Sequence, residues 1–196
     1  MKIAIVSPLY PPDIAEPAPY TKELAKRLSI AHEVTVLTYG TIPEEIRAVR
    51  ILHTSKQRPL PIRLISFTYK LWSVSRSADI LYVQNGPSVE LPTILVSLLT
   101  RAKIIVCIGD VLAHNYAKGH RLLRYIEKSV FLVADAIVVE TEGIISQKKE
   151  CNVVALPTPG VRPEILPFED APAEKMARWN TEWEEHISAL IKLYDN

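Results

Sequence analysis

MKIAIVSPLYPPDIAEPAPYTKELAKRLSIAHEVTVLTYG, residues 1–40, changes its apolar period twice. Ile3 to Val6 is a short β-branched run, closed by a loop carrying Pro8, Pro11 and Pro12. Tyr20 to Ile30 then sets Tyr20, Leu24, Ala25 and Leu28 at helical spacing, with Lys22, Lys26 and Arg27 turned outward. Val34 to Leu37 returns to an apolar strand. Strand, helix, strand, with both strands apolar on consecutive residues, is the pattern of a parallel sheet covered on both faces.

The same alternation continues outward. Strands are predicted at Val49–Leu52, Asp79–Val83, Lys103–Ile108, Ala136–Val139 and Asn152–Leu156. Helices are predicted at Ile62–Val74, Leu91–Leu99, His120–Val133 and Gly143–Lys149. Right-handed crossovers leave few topologies other than a Rossmann-like, doubly wound, mainly parallel α/β sheet. In such sheets ligands bind beyond the carboxyl ends of the strands. That places Ser7–Pro19, Gln84–Pro87, Gly109–Lys118 and Glu140–Glu142 around one rim.

After Leu156 the pattern breaks. Pro157, Pro159, Pro163, Pro167 and Pro172 exclude both helix and central strand, so residues 158–172 read as an extended connector. Residues 173–196 form a C-terminal amphipathic helix, with Met176, Trp179, Trp183, Ile187, Leu190 and Leu193 on one stripe expected to dock on the sheet domain of residues 1–157.

The bulk numbers exclude several function classes. A 48% hydrophobic and 23% charged composition is that of an ordinary globular chain, and a net charge of +1 supplies no field for nucleic acid. Cys107 and Cys151 lack a CxxC partner and read as structural thiols. The apolar run after Met1 is too short for a signal peptide, and no transmembrane run follows, which places the chain in the cytoplasm. P-loop, GxGxxG and GxSxG patterns are absent, which argues against nucleotide hydrolases, dinucleotide-dependent dehydrogenases and serine hydrolases.

Three segments together resemble the acceptor-side, N-terminal domain of family-4-like GT-B glycosyltransferases. These are residues 1–40 with their Pro-Pro-Asp loop and Tyr-x3-Leu-Ala-x2-Leu helix, the post-strand Ile108-Gly109-Asp110, and Leu156-Pro157-Thr158-Pro159-Gly160-Val161, which is similar to the family's P-N-G-V segment. The resemblance implies sugar transfer from a nucleotide donor to a hydroxyl acceptor, without a bound metal or other cofactor; the nucleotide sugar would be a co-substrate. It also implies a second Rossmann-like domain for the donor, for which the residues after Val161 leave no room, so a donor-domain polypeptide in trans or a homodimer is expected. The tail helix resembles the one that crosses back onto the first domain in such enzymes. Where the family carries Gly-Gly in its first loop, this chain has Ala15-Glu16-Pro17. Those residues add a charge and remove an N–H where a diphosphate would lie. A non-catalytic glycan- or lipid-linked-sugar-binding or regulatory remnant is therefore the rival expectation.

Within the rim, Asp110 is the candidate general base for an acceptor hydroxyl, or else a cap of the next helical turn. His114 is its companion in the catalytic set. Pro12, Asp13, Ala15, Glu16, Tyr20, Asn85, Gly86, Gly109, Asn115, Glu140 and Thr141 are the expected substrate contacts. His114 and His120 lie six apart with no third ligand, so no metal site is expected. Residues 56–76 mix Lys56, Arg58, Arg63, Lys70 and Arg76 with aromatic and aliphatic side chains. They read either as a peripheral contact with the inner membrane face or as a crossover helix with solvated cations.

Overall fold

The computed structural model describes residues 1–15, 17–40, 42–109, 111–139, 153–156, 159 and 173–195. The expected helix Gly143–Lys149, nearly all of the connector, and site residues Glu16, Asp110, Glu140 and Thr141 lie outside the described residues.

Seven strands are described: β1 (Lys2–Ser7), β2 (Glu33–Tyr39), β3 (Val49–Thr54), β4 (Ile80–Gln84), β5 (Lys103–Ile108), β6 (Ala136–Val139) and β7 (Val153–Ala155). They form one sheet in the order β3-β2-β1-β4-β5-β6-β7, and every pairing is parallel. The helices are α1 (Pro17–Leu28), α2 (Leu60–Ser75), α3 (Pro87–Ser97), α4 (Val111–Gly119), α5 (Arg121–Val133) and α6 (Ala173–Asp195). The expected α/β class, doubly wound sheet and C-terminal helix are all present.

Strand side chains alternate between two apolar layers. Ala4, Val6, Leu81, Val83, Val106 and Val139 face one layer, with Phe67 and Leu71 of α2, Val89 and Val96 of α3, and Val130 and Phe131 of α5. Ile3, Ile5, Tyr82, Ile105 and Val138 face the other, with Leu24 and Leu28 of α1 and Trp179, Trp183 and Leu190 of α6.

Handedness explains why α6 is required. The β1–α1–β2 crossover steps in one direction along the sheet, and those through α2, α3 and α5 step in the other. Right-handed connections therefore put α1 alone on its face. Its single span leaves β4, β5 and β6 bare on that side, and α6 covers them. Arg27 of α1 fastens the two helices. Its guanidinium stacks 4.8 Å from the Trp179 ring and donates to Asn180 Oδ1 at 2.7 Å. At the other end Lys103 Nζ donates to the Tyr194 carbonyl at 3.2 Å, a cation against the terminal carbonyls of α6.

Three helices start before their apolar period does. α1 begins at Pro17 rather than Tyr20, α2 at Leu60 rather than Ile62, and α3 at Pro87 rather than Leu91. In each a proline occupies the first turn, where a missing N–H has no helical partner to lose. α3 also holds Pro92 in its interior, which removes the donor that the Ser88 carbonyl would have used. Tyr39 replaces it: its hydroxyl donates to the Ser88 oxygen at 2.8 Å. Val111–Gly119, expected as a loop along the rim, is helix α4.

Candidate functional site

Strand order reverses between β1 and β4, which makes the carboxyl edge of that pair the natural ligand crevice. The chain before the edge is apolar and buried; the edge itself turns polar. Ser7 ends β1 and Gln84 ends β4, both buried. Thr21, on the first turns of α1, closes the group. Its hydroxyl lies 2.9 Å from Gln84 Oε1, and the Ser7 hydroxyl 2.6 Å from the same oxygen. None of the three is charged.

Just past β4 come Asn85 and Gly86, both buried, with the Asn85 N–H donating to the Cys107 carbonyl at 2.8 Å. Gly86 has φ 152°, and a Cβ placed there would meet Pro8 Cγ at 3.3 Å. Glycine is thus required twice, by conformation and by the approach of the first loop. Gly86→Ala is expected to cost about 1–3 kcal/mol, read as a lower urea midpoint at unchanged m-value. An unchanged midpoint would show that the two loops separate freely. Gly109 carries no such constraint, since a Cβ there meets only Cys107 Sγ at 3.9 Å.

Both helix N-termini at this crevice have lost N–H groups that an anion would use. In α1 the first and third residues are Pro17 and Pro19, which have no N–H, and the Ala18 N–H is spent on the Ala15 carbonyl at 2.9 Å. In α3 the first residue is Pro87, and Glu90 places a buried carboxylate in the first turn, accepting from the Gly86 N–H at 3.1 Å. The Glu90 carboxyl thus occupies the Gly86 N–H that a phosphate would otherwise use.

The first loop is tied down around this crevice. Asp13, half-exposed, pairs with Lys56 at 2.7 Å, and the Pro11 carbonyl accepts the Glu44 N–H at 3.0 Å. Pro12 and Ala15 are exposed, and Ile14 presents 95% of its surface to solvent. Tyr20 points inward. Its hydroxyl lies 2.9 Å from that of Tyr82 and 2.8 Å from His186 Nε2, and its ring stacks on Trp183 at 5.5 Å. Burial, with Cys107 beside it, holds the Tyr82 phenol well above its ordinary pKa, so it stays neutral.

His114 is buried on α4, its Nδ1 bonded to the buried Glu127 Oε1 of α5. Asn115 is exposed on the same helix, and Tyr116 packs against His120 with ring centroids 4.3 Å apart. Thr21, Glu90 and Glu127 are site residues that sequence reasoning missed. Glu90 and Glu127 had a readable signal, an acid on the apolar stripe of its helix; Thr21 had none. Among the described residues no cluster of three or more His, Cys, Asp or Glu side chains is arranged to hold a metal.

No protein-family model matches the chain, and no curated protein matches it. Solved structures do. HepE from Anabaena, in complex with UDP and glucose, aligns with a TM-score of 0.61 at 14% identity, over 89% of this chain and 48% of that one. The fold is the Rossmann-like one of GT-B proteins. A sucrose-phosphate synthase chain from Thermosynechococcus elongatus aligns with a TM-score of 0.58 at 11% identity, over 97% and 99%. The UDP-GlcNAc 2-epimerase from Methanocaldococcus jannaschii aligns with a TM-score of 0.56 at 12% identity, over 80% and 45%. The chain therefore spans about half the length of HepE and of the epimerase.

Proposed function

We propose that this chain is the acceptor-binding half of a glycosyltransferase, with the nucleotide-sugar half supplied by another polypeptide or by a second copy. The observation that carries the reading is the chemistry of the crevice: uncharged hydroxyl and amide groups at the switch point, between two helix N-termini depleted of free N–H groups. Such a site suits a hydroxyl-rich acceptor and offers a diphosphate few donors. The α6 helix supports the same reading, because it completes the sheet from across the connector, where a donor domain would be inserted. The sucrose-phosphate synthase chain, spanned almost end to end, also supports a unit of this extent. Ile14 at the rim is the kind of exposed apolar group that a second domain would cover.

On this reading Asp110, directly after Gly109, takes the acceptor proton. His114, through its bond to Glu127, positions α4 behind it. Pro12, Asp13, Asn85, Asn115, Glu140 and Thr141 ring the acceptor. The cytoplasm is the proposed compartment, where nucleotide sugars are made available. A second reading, a glycan-binding or regulatory remnant without turnover, is favoured by Pro17 and Glu90, which remove donor contacts from this half.

Calorimetric titration tests the proposal. Neutral oligosaccharides should bind, Gln84→Ala should weaken them, and nucleotide sugars and free nucleotides should give no heat of binding. Micromolar binding of a nucleotide sugar by the chain alone would overturn the division of labour. Turnover in a reconstituted pair that depends on Asp110 would separate the enzyme from the remnant.

A further inference from the structure

The outer layer of the molecule, α2, α3 and α5, has a surface that no crevice chemistry explains. α2 packs beside α3 and α3 beside α5, so their outward stripes are neighbours. Those stripes are apolar at their centre: Ile65 and Tyr69 on α2, Leu95 on α3 with Leu98 just beyond it, and Tyr125 and Leu132 on α5, are each more than half exposed. Between α2 and α3 runs a groove of about 430 Å³, and Trp72 lies along it beside Pro92.

Among the described residues, the exposed charge on α2, α3 and α5 themselves is positive. Arg58, Arg76, Arg101, Arg121, Arg124 and Lys128 are exposed on or beside the three helices. The helices contain two carboxylates, Glu90 and Glu127, and both are buried and hydrogen-bonded. Asp79 and Asp135, both exposed, lie at the amino edge of the sheet with Arg76 and Arg101 and accept from the Lys2 and Ile104 N–H groups. The opposite face is mixed, with exposed Lys175, Arg178 and Lys192 beside Glu174, Glu184 and Glu185 on α6.

We infer that the α2–α3–α5 layer docks on an anionic lipid bilayer, with the apolar stripes at the acyl boundary and the cations among the headgroups. An exposed apolar centre fringed by arginine and lysine, with no exposed acid on the helices, is complementary to that surface. Among the described residues no helix is long and apolar enough to cross a membrane, so the contact is peripheral. The surface extends well past residues 56–76, and the inference does not depend on the sugar-transfer reading.

Vesicle co-sedimentation of the full chain tests it. Phosphatidylglycerol–phosphatidylcholine vesicles should retain the chain, pure phosphatidylcholine should not, and raised salt should release it. The double substitution Arg121→Glu with Arg124→Glu, at exposed positions where folding is checked by circular dichroism, should weaken partitioning roughly tenfold or more. Brominated lipid supplies an independent readout. Trp72 lies in the docking layer, whereas Trp179 and Trp183, the other two tryptophans, are buried beyond the sheet. Quenching should therefore occur in the wild type and vanish in Trp72→Phe. Equal binding to neutral vesicles, or binding without Trp72 quenching, overturns the assignment. So does a lipid-free dimer that Leu98→Asp dissociates, which would make a second copy the occupant.

Discussion

Replacing Trp183 by alanine is expected to remove about 3–5 kcal/mol of stability, the range for truncating a large buried aromatic side chain. Trp183 is 2% exposed and sits at the centre of the α6 contact. Its ring stacks on Tyr20 at 5.5 Å, lies edge-on to Trp179 at 6.3 Å, and has Arg27 5.4 Å from its centroid. The void would open between α1, α6 and the sheet, where one helix covers several strands. Against a typical total of about 5–15 kcal/mol, the loss is a large fraction and lowers Tm by roughly 6–20 °C. Trp183→Phe is expected to cost far less. Phenylalanine keeps the stack and removes Nε1, a buried donor without a partner among the described residues. Equal losses for the two variants would show that ring volume is not what holds α6.

Alkaline unfolding is the second large effect. Tyr10, Tyr39, Tyr82 and Tyr194 all have phenols pushed above their ordinary value, and burial is the first cause for each. A neutral phenol in the folded chain and an ordinary one in the unfolded chain fix the sign. The contribution is complete below about pH 10 and is lost as pH rises above it, because only the unfolded chain ionises. Tyr82 and Tyr194, both almost wholly enclosed, each steepen the fall by about 1.4 kcal/mol per pH unit, and Tyr10 and Tyr39 add to it. Urea midpoints taken at rising pH should collapse together with the appearance of tyrosinate absorbance. Tyr194→Phe should reduce the slope while leaving neutral-pH stability nearly unchanged, because the Tyr194 hydroxyl has no partner among the described residues. Stability that stays flat to about pH 11 would mean these rings are hydrated in solution.

The parts of the fold legible in the sequence are those where a single period dominates. β6 is apolar throughout and β5 is apolar after Lys103, and both have the bounds their sequence predicts. The Trp179–Trp183–Leu190 stripe was read as core, and it is buried on the sheet. Boundaries were lost where proline interrupts the pattern, at Pro17, Pro61 and Pro87, because periodicity is blind to a first turn that needs no donors. α4 was lost for another reason. Its inward face includes His114, paired with Glu127, and a buried polar pair leaves no apolar spacing to count. The crevice was legible as a location, through the strand ends at Ser7, Gln84 and Gly109. Its electrostatic character was not, since Glu90 reaches the Gly86 N–H only once α3 starts at Pro87.

The dependence of the sheet on α6 also has a consequence for how the chain is made. Tyr20 meets His186 across a sequence separation of 166 residues. Everything α6 covers leaves the ribosome before α6 does. Through that interval β4, β5 and β6 present one oily flank to solvent or to a chaperone. Such late, long-range closure slows folding and favours capture by neighbouring nascent chains. Synthesis rate over the connector, rather than sheet formation, would then set the yield of native protein.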